Sequence, residues 1–297
     1  MKPSVSDLGA IGFALSGFTL WVLGDSAIKL MGRTGLPAYE VVAFLGLSMA
    51  TFLGAYAVVR GDARALRPRN VKHQLVRACL DMINNVCVVV ALRHLTLTLF
   101  YILVFMAPMV IAVLSAVFLN EGHSWRRNLA VLVGFAGVVI AVHPWSSERQ
   151  WDWIGVGACM LCVACFSTNM VWSRVLTRTE TPESLAFCSG LVTAAAGSFM
   201  MLFHAAPLTV PITAGLFAIG AFCASGTLCF YIAVKHTSPA NVSQYHYTQL
   251  LTGTLVSYWV WHDKPGFFVV LGGSLILASG LSIAMSARNY VPLSEGN

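Results

Sequence analysis

Residues 91–121, ALRHLTLTLFYILVFMAPMVIAVLSAVFLNE, return as residues 233–263, AVKHTSPANVSQYHYTQLLTGTLVSYWVWHD. A shift of 142 residues (236 − 94) brings His94 onto His236. The same shift brings Ala91 onto Ala233, Arg93 onto Lys235, Ser115 onto Ser257 and Glu121 onto Asp263. A block that keeps its basic start and acidic end while its apolar middle drifts marks a duplicated unit, and a repeat of this length sets the architecture. The next block follows after a one-residue slip, with Ala130 and Gly137 on Gly273 and Gly280. Nearer the start, Lys29 and Arg33 fall more loosely on Arg174 and Arg178. The chain therefore divides into two five-helix copies, 1–145 and 146–297.

The medium in which these copies fold follows from charge. Of 297 residues, 57% are hydrophobic and only 10% charged, with a mean hydropathy of +0.75. A soluble domain carries about 25% charged residues. The sequence thus predicts a polytopic membrane protein with short loops, partnered by the lipid bilayer. The net charge of +6 does not point to nucleic acid, because the basic residues sit at the ends of apolar runs. Eight cysteines all fall inside such runs. Cys159, Cys162 and Cys165 have a ligand-like spacing, but in a lipid-embedded helix cysteine is first a small packing residue. No cofactor and no metal is expected, and no disulfide framework is visible. The apolar run from Leu8 is too long for a signal-peptide core and reads as a retained first helix.

A helix needs about 20 apolar residues to cross the hydrocarbon. Ten runs qualify: Leu8–Met31, Pro37–Val59, Gln74–Leu92, Thr96–Leu119, Arg127–Val142, Trp153–Ser173, Pro182–His204, Pro211–Lys235, Pro239–Trp261 and Gly266–Ser286. Four open on proline, where the missing N–H is unneeded. Pro108 is the exception, mid-span in the fourth run, and predicts a bend whose freed carbonyl a neighbour or a cavity must satisfy. With ten crossings, Lys29, Arg33, Arg93, Arg149 and Lys264 lie on one side, and the other thirteen of the eighteen basic residues lie on the opposite side. The positive-inside rule places both termini in the cytoplasm. The two copies then enter the membrane with opposite topology. The predicted fold is all-α, ten transmembrane helices as a 5+5 inverted repeat, a build that puts a solute site between the halves near the midplane.

The stretch Ala107–Val142, APMVIAVLSAVFLNEGHSWRRNLAVLVGFAGVVIAV, resembles the drug/metabolite transporter superfamily, EamA type, with Pro108, Glu121 and Gly137 at motif positions. In the second copy Leu250 stands in place of the proline and Asp263 in place of the glutamate. Within that superfamily the chain is most similar to bacterial exporters of aromatic and other amino acids. The resemblance implies export of a small molecule across the inner membrane by alternating access.

Intramembrane polar residues are costly and are site candidates by default, although some only join helices. The densest cluster is Gln244, Tyr245, His246, Tyr247, Thr248 and Gln249 in the ninth run, which surrounds its helix and leaves no lipid-facing stripe. On a continuous helix Tyr245 and Gln249 share one face. That phenol-and-amide face suits a solute with a ring and polar ends. Tyr101 lies in the matching part of the fourth run. Asn84 and Asn85 are deep in the third, Trp21 is in the first, and Asn169 and Trp172 are in the sixth. Two acid–base spacings of i, i+4 predict local ion pairs, Asp25 with Lys29 and Arg77 with Asp81. Asp25, Lys29 and Asp81 are also candidates for coupling or gating, and His246 for titration near neutral pH. Glu121 and Asp263 are expected at membrane edges, and Gly134, Gly137, Gly272 and Gly273 at close helix contacts.

A membrane-embedded enzyme acting on lipid-linked substrates would need a constellation such as HExxH or GxSxG, and none is present. A receptor or scaffold fits poorly with ten spans and almost no extramembrane domain. The sequence favours a secondary transporter of amino acids or similar small metabolites. A proton-coupled exporter of amphipathic drugs or other metabolites is the alternative.

Overall fold

A computed structural model of the chain describes residues 7–118, 125–142, 152–203, 205–236, 242, 245, 246 and 248–288. Among them are eleven α-helices, one short 3-10 helix (Ala63–Leu66) and no strand: α1 Asp7–Gly32, α2 Ala38–Val59, α3 Val71–His94, α4 Leu97–Val104, α5 Ala107–Phe118, α6 Trp125–Val142, α7 Trp153–Leu176, α8 Pro182–Met201, α9 Val210–His236, α10 Thr248–Trp261 and α11 Phe267–Arg288. Of these, α1, α2, α3, α7, α8 and α9 are each long and apolar enough to cross a bilayer unaided. The helices α4 and α5 in series form the fourth crossing, and α6 and α11 form the fifth and tenth. The ninth contains α10. Local chemistry sets the ends. The side chains of Asn70, Thr96, Asp152 and Thr181 each accept the backbone N–H three residues on, which occupies one of a helix's orphan donors. Large apolar side chains such as Phe52, Leu132, Phe135, Phe199 and Trp259 stay exposed, as a lipid-facing surface requires.

The expected bend at Pro108 is a full break. Phe105 and Met106 form a turn between α4 and α5, and Pro108 sits in the first turn of α5, where no N–H is required. A last α-type bond from Phe105 N to Tyr101 O (3.0 Å) and a tighter i→i−3 bond from Met106 N to Leu103 O (3.1 Å) close the end of α4. The second copy breaks at the matching place without a proline: Tyr245 is helical, His246 is in a turn, and α10 starts at Thr248. The repeat shift carries 246 back to 104 (246 − 142), the last residue of α4. Paired broken helices in corresponding positions are a transporter feature, because non-helical backbone at membrane depth must line a cavity or be wrapped by protein.

The halves interlock helix by helix. α2 packs on α8, α6 on α11, α1 on α9 and α3 on α7. Counting crossings, the second meets its own repeat mate (the seventh) and the fifth meets the tenth. The first–eighth pair has the sixth–third as its mate, so the pairing map is unchanged when the copies are exchanged. The seams also run antiparallel. A Cβ on Gly46 would overlap the Ala194 backbone, and one on Gly197 the Ala43 backbone, so α2 and α8 touch through glycine and alanine in opposite directions. Gly137 meets Gly272 and Ile276, while Gly134 reaches Ser279, which makes α6 and α11 antiparallel too. Repeat mates that face each other antiparallel are inverted copies. The expected small-residue contacts at Gly134, Gly137 and Gly272 are present.

Carboxylates clasp the central α2–α8 pair at both ends. Glu180 accepts backbone N–H groups from Arg69 (3.0 Å) and Asn70 (2.7 Å) and a hydroxyl from Ser184 (3.2 Å). At the other end buried Glu40, in the first turn of α2, accepts the backbone N–H of Ala206. Burial pushes the Glu180 carboxyl up, but the Arg69 and Asn70 N–H groups, with Gln74 and Ser184, together hold it below its ordinary value.

Candidate functional site

The central cavity lies where α1, α3, α4, α7, α9 and the second break come together. Trp21, Asp25, Asp81, Asn84, Asn85, Tyr101, Asn169, His246 and Gln249 all line it. It measures about 100 Å³. A metabolite site is typically about 300–1,000 Å³, so in this conformation the space suits waters and the ends must part to admit a solute.

One wall is aromatic. Trp21 lies edge-on to Phe18 (centroids 5.7 Å apart) and Phe166 (6.1 Å), and tilts over Phe230 (5.1 Å). His246 stacks on Phe18 at 4.8 Å and leans on Phe166 at 5.4 Å. The helix break at His246 delivers this imidazole into the ring cluster. Trp21 Nε1 donates to Thr227 Oγ1 (3.2 Å), and Gln249 Nε2 to the carbonyl of Phe18 (3.1 Å). Such rings offer faces and edges on which a planar solute stacks.

Carboxyl, amide and hydroxyl groups supply the cavity's polar contacts. Tyr101 O–H donates to Asp25 Oδ2 at 2.8 Å, and the Tyr101 ring lies against Gly253 of α10, where no side chain would fit. Asn169 Nδ2 donates to Asp81 Oδ1 (2.9 Å), Asn85 Nδ2 to Thr193 Oγ1 (3.2 Å), and the Cys162 thiol to Asn84 Oδ1 (3.1 Å).

Both expected i, i+4 ion pairs are absent; among the described residues the one ion pair is His94–Asp152. Lys29 instead donates to the carbonyl of Leu95 (2.7 Å) and sits over the Trp261 ring (5.6 Å). Arg77 donates to Asn169 Oδ1, Tyr231 O–H, Leu185 O and Ser189 Oγ. In each pair the acid faces the cavity. The base, one turn along the helix and outside the cavity lining, instead bonds across the bundle. Lys29, a candidate for coupling or gating, is not among the cavity-lining residues. Arg93, bonded to the carbonyl of Leu36 (2.7 Å), and the His94–Asp152 pair reinforce the Lys29 end. The His94 hydrogen bond to Asp152 holds that loop carboxyl below its usual range.

Two further expectations are corrected. Tyr245 and Gln249 do not share the face of a continuous helix, because the break at His246 separates them. Gln249 lines the cavity, while Tyr245 packs half-buried against the apolar core. Trp172 belongs to a separate apolar groove of about 430 Å³ with Leu114, Phe118 and Val175, between α5 and α7. Gln244, Tyr247 and Glu121 lie outside the described residues. Asp263 accepts from Ser257 Oγ (3.2 Å) just beyond α10. Sequence reasoning passed over Phe166, Phe230, Met49, Cys223, Thr227 and Tyr231, all of which line the cavity. For Thr227 and Tyr231, an i, i+4 polar stripe inside the eighth run was the available signal. The apolar ones carry no such mark.

The family model described as EamA-like transporter family matches residues 8–143 and again 153–285. The pseudopaline exporter of Pseudomonas aeruginosa is 25% identical over 280 residues, covering 94% of this chain and 97% of that protein. The S-adenosylmethionine uptake transporter of Rickettsia bellii is 23% identical (95% and 96% covered), and the riboflavin transporter of Brucella anthropi 26% (84% and 88%). A crystal structure at 18% identity superposes with a TM-score of 0.68 over 94% of this chain and 98% of that one, a likeness of fold.

Proposed function

The chain belongs to the EamA-like transporter family, a multi-pass membrane transporter of small metabolites and not an enzyme, and from that premise we propose that it exports amino acids by alternating access. Aromatic and other neutral amino acids are the favoured solutes, leaving the cytoplasm across the inner membrane. The observation that carries this is the pairing, in one cavity, of a ring cluster (Trp21, Phe166, Phe230, His246) with carboxyl groups (Asp25, Asp81) that no cationic side chain neutralises directly. Rings stack on the first and an ammonium group is received by the second. The names of two relatives, for riboflavin and S-adenosylmethionine, are also those of ring-bearing solutes. Relatives named for export and for uptake both occur, so the export direction rests on the resemblance to amino-acid exporters. Both termini are assigned to the cytoplasm by the basic residues around 60–77 and 174–178.

The test is flux from liposomes that contain the purified protein. Labelled phenylalanine, tryptophan and alanine are loaded, and efflux is followed with and without a pH gradient. Saturable efflux of the aromatic amino acids above protein-free vesicles is expected, and the gradient arm separates proton coupling from facilitated movement. Absence of saturable flux for every amino acid would sink the substrate assignment.

A further inference from the structure

We propose that Arg77 and Asp81 form a receptor for the head group of a zwitterionic amino acid, and that the side-chain amide of Asn169 holds its place when no solute is bound. The proposal rests on the amino-acid reading above and names where the solute's charged end goes.

Arg77 is wholly buried, on the membrane-spanning part of α3. A guanidinium there is costly unless its donors are paired, and a carboxylate is the usual partner. None is within ion-pairing distance among the described residues. Its partners are neutral: Tyr231 O–H at 2.6 Å, Leu185 O at 2.6 Å, Ser189 Oγ at 2.7 Å and Asn169 Oδ1 at 3.4 Å. Its Nε meets no acceptor among the described residues. So a buried cation has one donor unused and one bond, to Asn169, near the limit of a hydrogen bond.

Asp81 stands one turn along the same helix and lines the cavity, as Asn169 does. The amide of Asn169 lies between the two charges. Its oxygen accepts from Arg77 and its nitrogen donates to Asp81 at 2.9 Å. This is why the expected Arg77–Asp81 pair does not close. An amino acid presents the same two functions, a carboxylate to accept and an ammonium to donate, separated by one more bond. Replacing the neutral amide by these ions turns each contact from ion–dipole into an ion pair, carboxylate on Arg77 and ammonium on Asp81. Ser173 Oγ, already donating to Asn169 Oδ1 at 3.0 Å, can keep the displaced amide. Phe166, three residues before Asn169 on α7, and Phe230, whose ring lies 5.4 Å from that of the Arg77 partner Tyr231, stand in the same cavity wall and are where the side chain of such a solute can lie.

The experiment uses the purified full chain in lipid nanodiscs and displacement of tritiated phenylalanine. Competitors share a ring and differ in head group: phenylalanine, phenethylamine and 3-phenylpropionate, with alanine as the ring-free zwitterion. The wild type is expected to prefer phenylalanine to either singly charged analogue by about tenfold or more, the size of a charge-assisted hydrogen bond. In Arg77→Gln the preference over phenethylamine collapses toward one. In Asp81→Asn the preference over 3-phenylpropionate collapses instead. The wild-type panel needs no variant, so misfolding of either substitution leaves the proposal open to refutation. Ring compounds that bind equally well whatever their head group overturn the receptor and leave ring recognition standing. Alanine matching phenylalanine, with the head-group preferences intact, supports the receptor and removes ring recognition. No saturable phenylalanine binding overturns both.

Discussion

Replacing Lys29 with methionine should open one end of the cavity. Methionine keeps much of the apolar stem and removes the ammonium group. The ammonium makes a 2.7 Å bond to the Leu95 carbonyl at the α3–α4 corner and a cation–π contact with Trp261 at the end of α10. A hydrogen bond from a charged donor contributes about 1.5–3 kcal/mol and a partly exposed cation–π contact about 0.5–1 kcal/mol. Their loss, about 2–4 kcal/mol of closure, multiplies the open population by roughly 30- to several-hundred-fold at 1.4 kcal/mol per decade. Cys223 lines the cavity beside Gly24 and is a native reporter once the other seven cysteines are replaced. The assay is the alkylation rate of Cys223 by a membrane-impermeant maleimide added to one face of the bilayer or the other. Lys29→Met should speed labelling by about one and a half to three decades from the face that carries Leu95 and Trp261, and Lys29→Arg should stay near the parent. An unchanged rate from that face, with the variant still monodisperse, refutes Lys29 as a closure contact.

Three more outcomes are expected. Tyr101→Phe deprives half-buried Asp25 of its 2.8 Å donor, a loss of about 1–3 kcal/mol, and should lower liposome flux roughly five- to hundredfold at equal protein content. Glu180→Ala orphans the Arg69 and Asn70 N–H groups at about 1–3 kcal/mol each and should lower Tm by roughly 5–15 °C in a detergent melting assay. Because the folded-state pKa of Glu180 is depressed, its contribution is complete above the ordinary glutamate value and disappears as pH falls through the lowered one. The Tm gap between wild type and Glu180→Gln should therefore shrink in acid, and a gap constant down to pH 3 contradicts the clasp. Gly46→Leu drives a side chain into the Ala194 backbone and should abolish monodisperse protein, whereas the same change at Gly12, which faces open space, should be tolerated.

The crossings were legible because hydrocarbon imposes a length and a composition that water does not. Trp153, Pro182 and Val59 are helix ends in sequence and structure alike. Pro108 announced the first break. The second has no proline, and its signal, the polar run around His246, reads in sequence as a polar face on an intact helix, which also puts Tyr245 on that face. In the cavity, Asp81, Asn84, Asn85 and Asn169 were visible because polarity stands out in an apolar run. Phe166 and Phe230 were not, since an apolar residue facing a cavity is chemically the same as one facing lipid. Trp172 shows the same limit. It is three residues from Asn169, yet α5 packs on its side of α7 and draws it into another groove.

The two separated acid–base pairs have a common cause. A single i, i+4 ion pair at the membrane interior would leave most donors of a lysine or guanidinium unsatisfied, and its Coulomb gain barely offsets desolvation. Reaching across the bundle gives Arg77 four acceptors on three helices of the other repeat, and gives Lys29 a carbonyl and a ring. Each acid is thereby left without a direct cationic partner at the cavity wall. A cation held by several neutral acceptors can be released stepwise, unlike one bound to a single buried carboxylate, where separation exposes two charges at once. Sealing by Lys29 therefore suits the alternating access proposed above, and a variant that restored the local Asp25–Lys29 pair should be stable but slow.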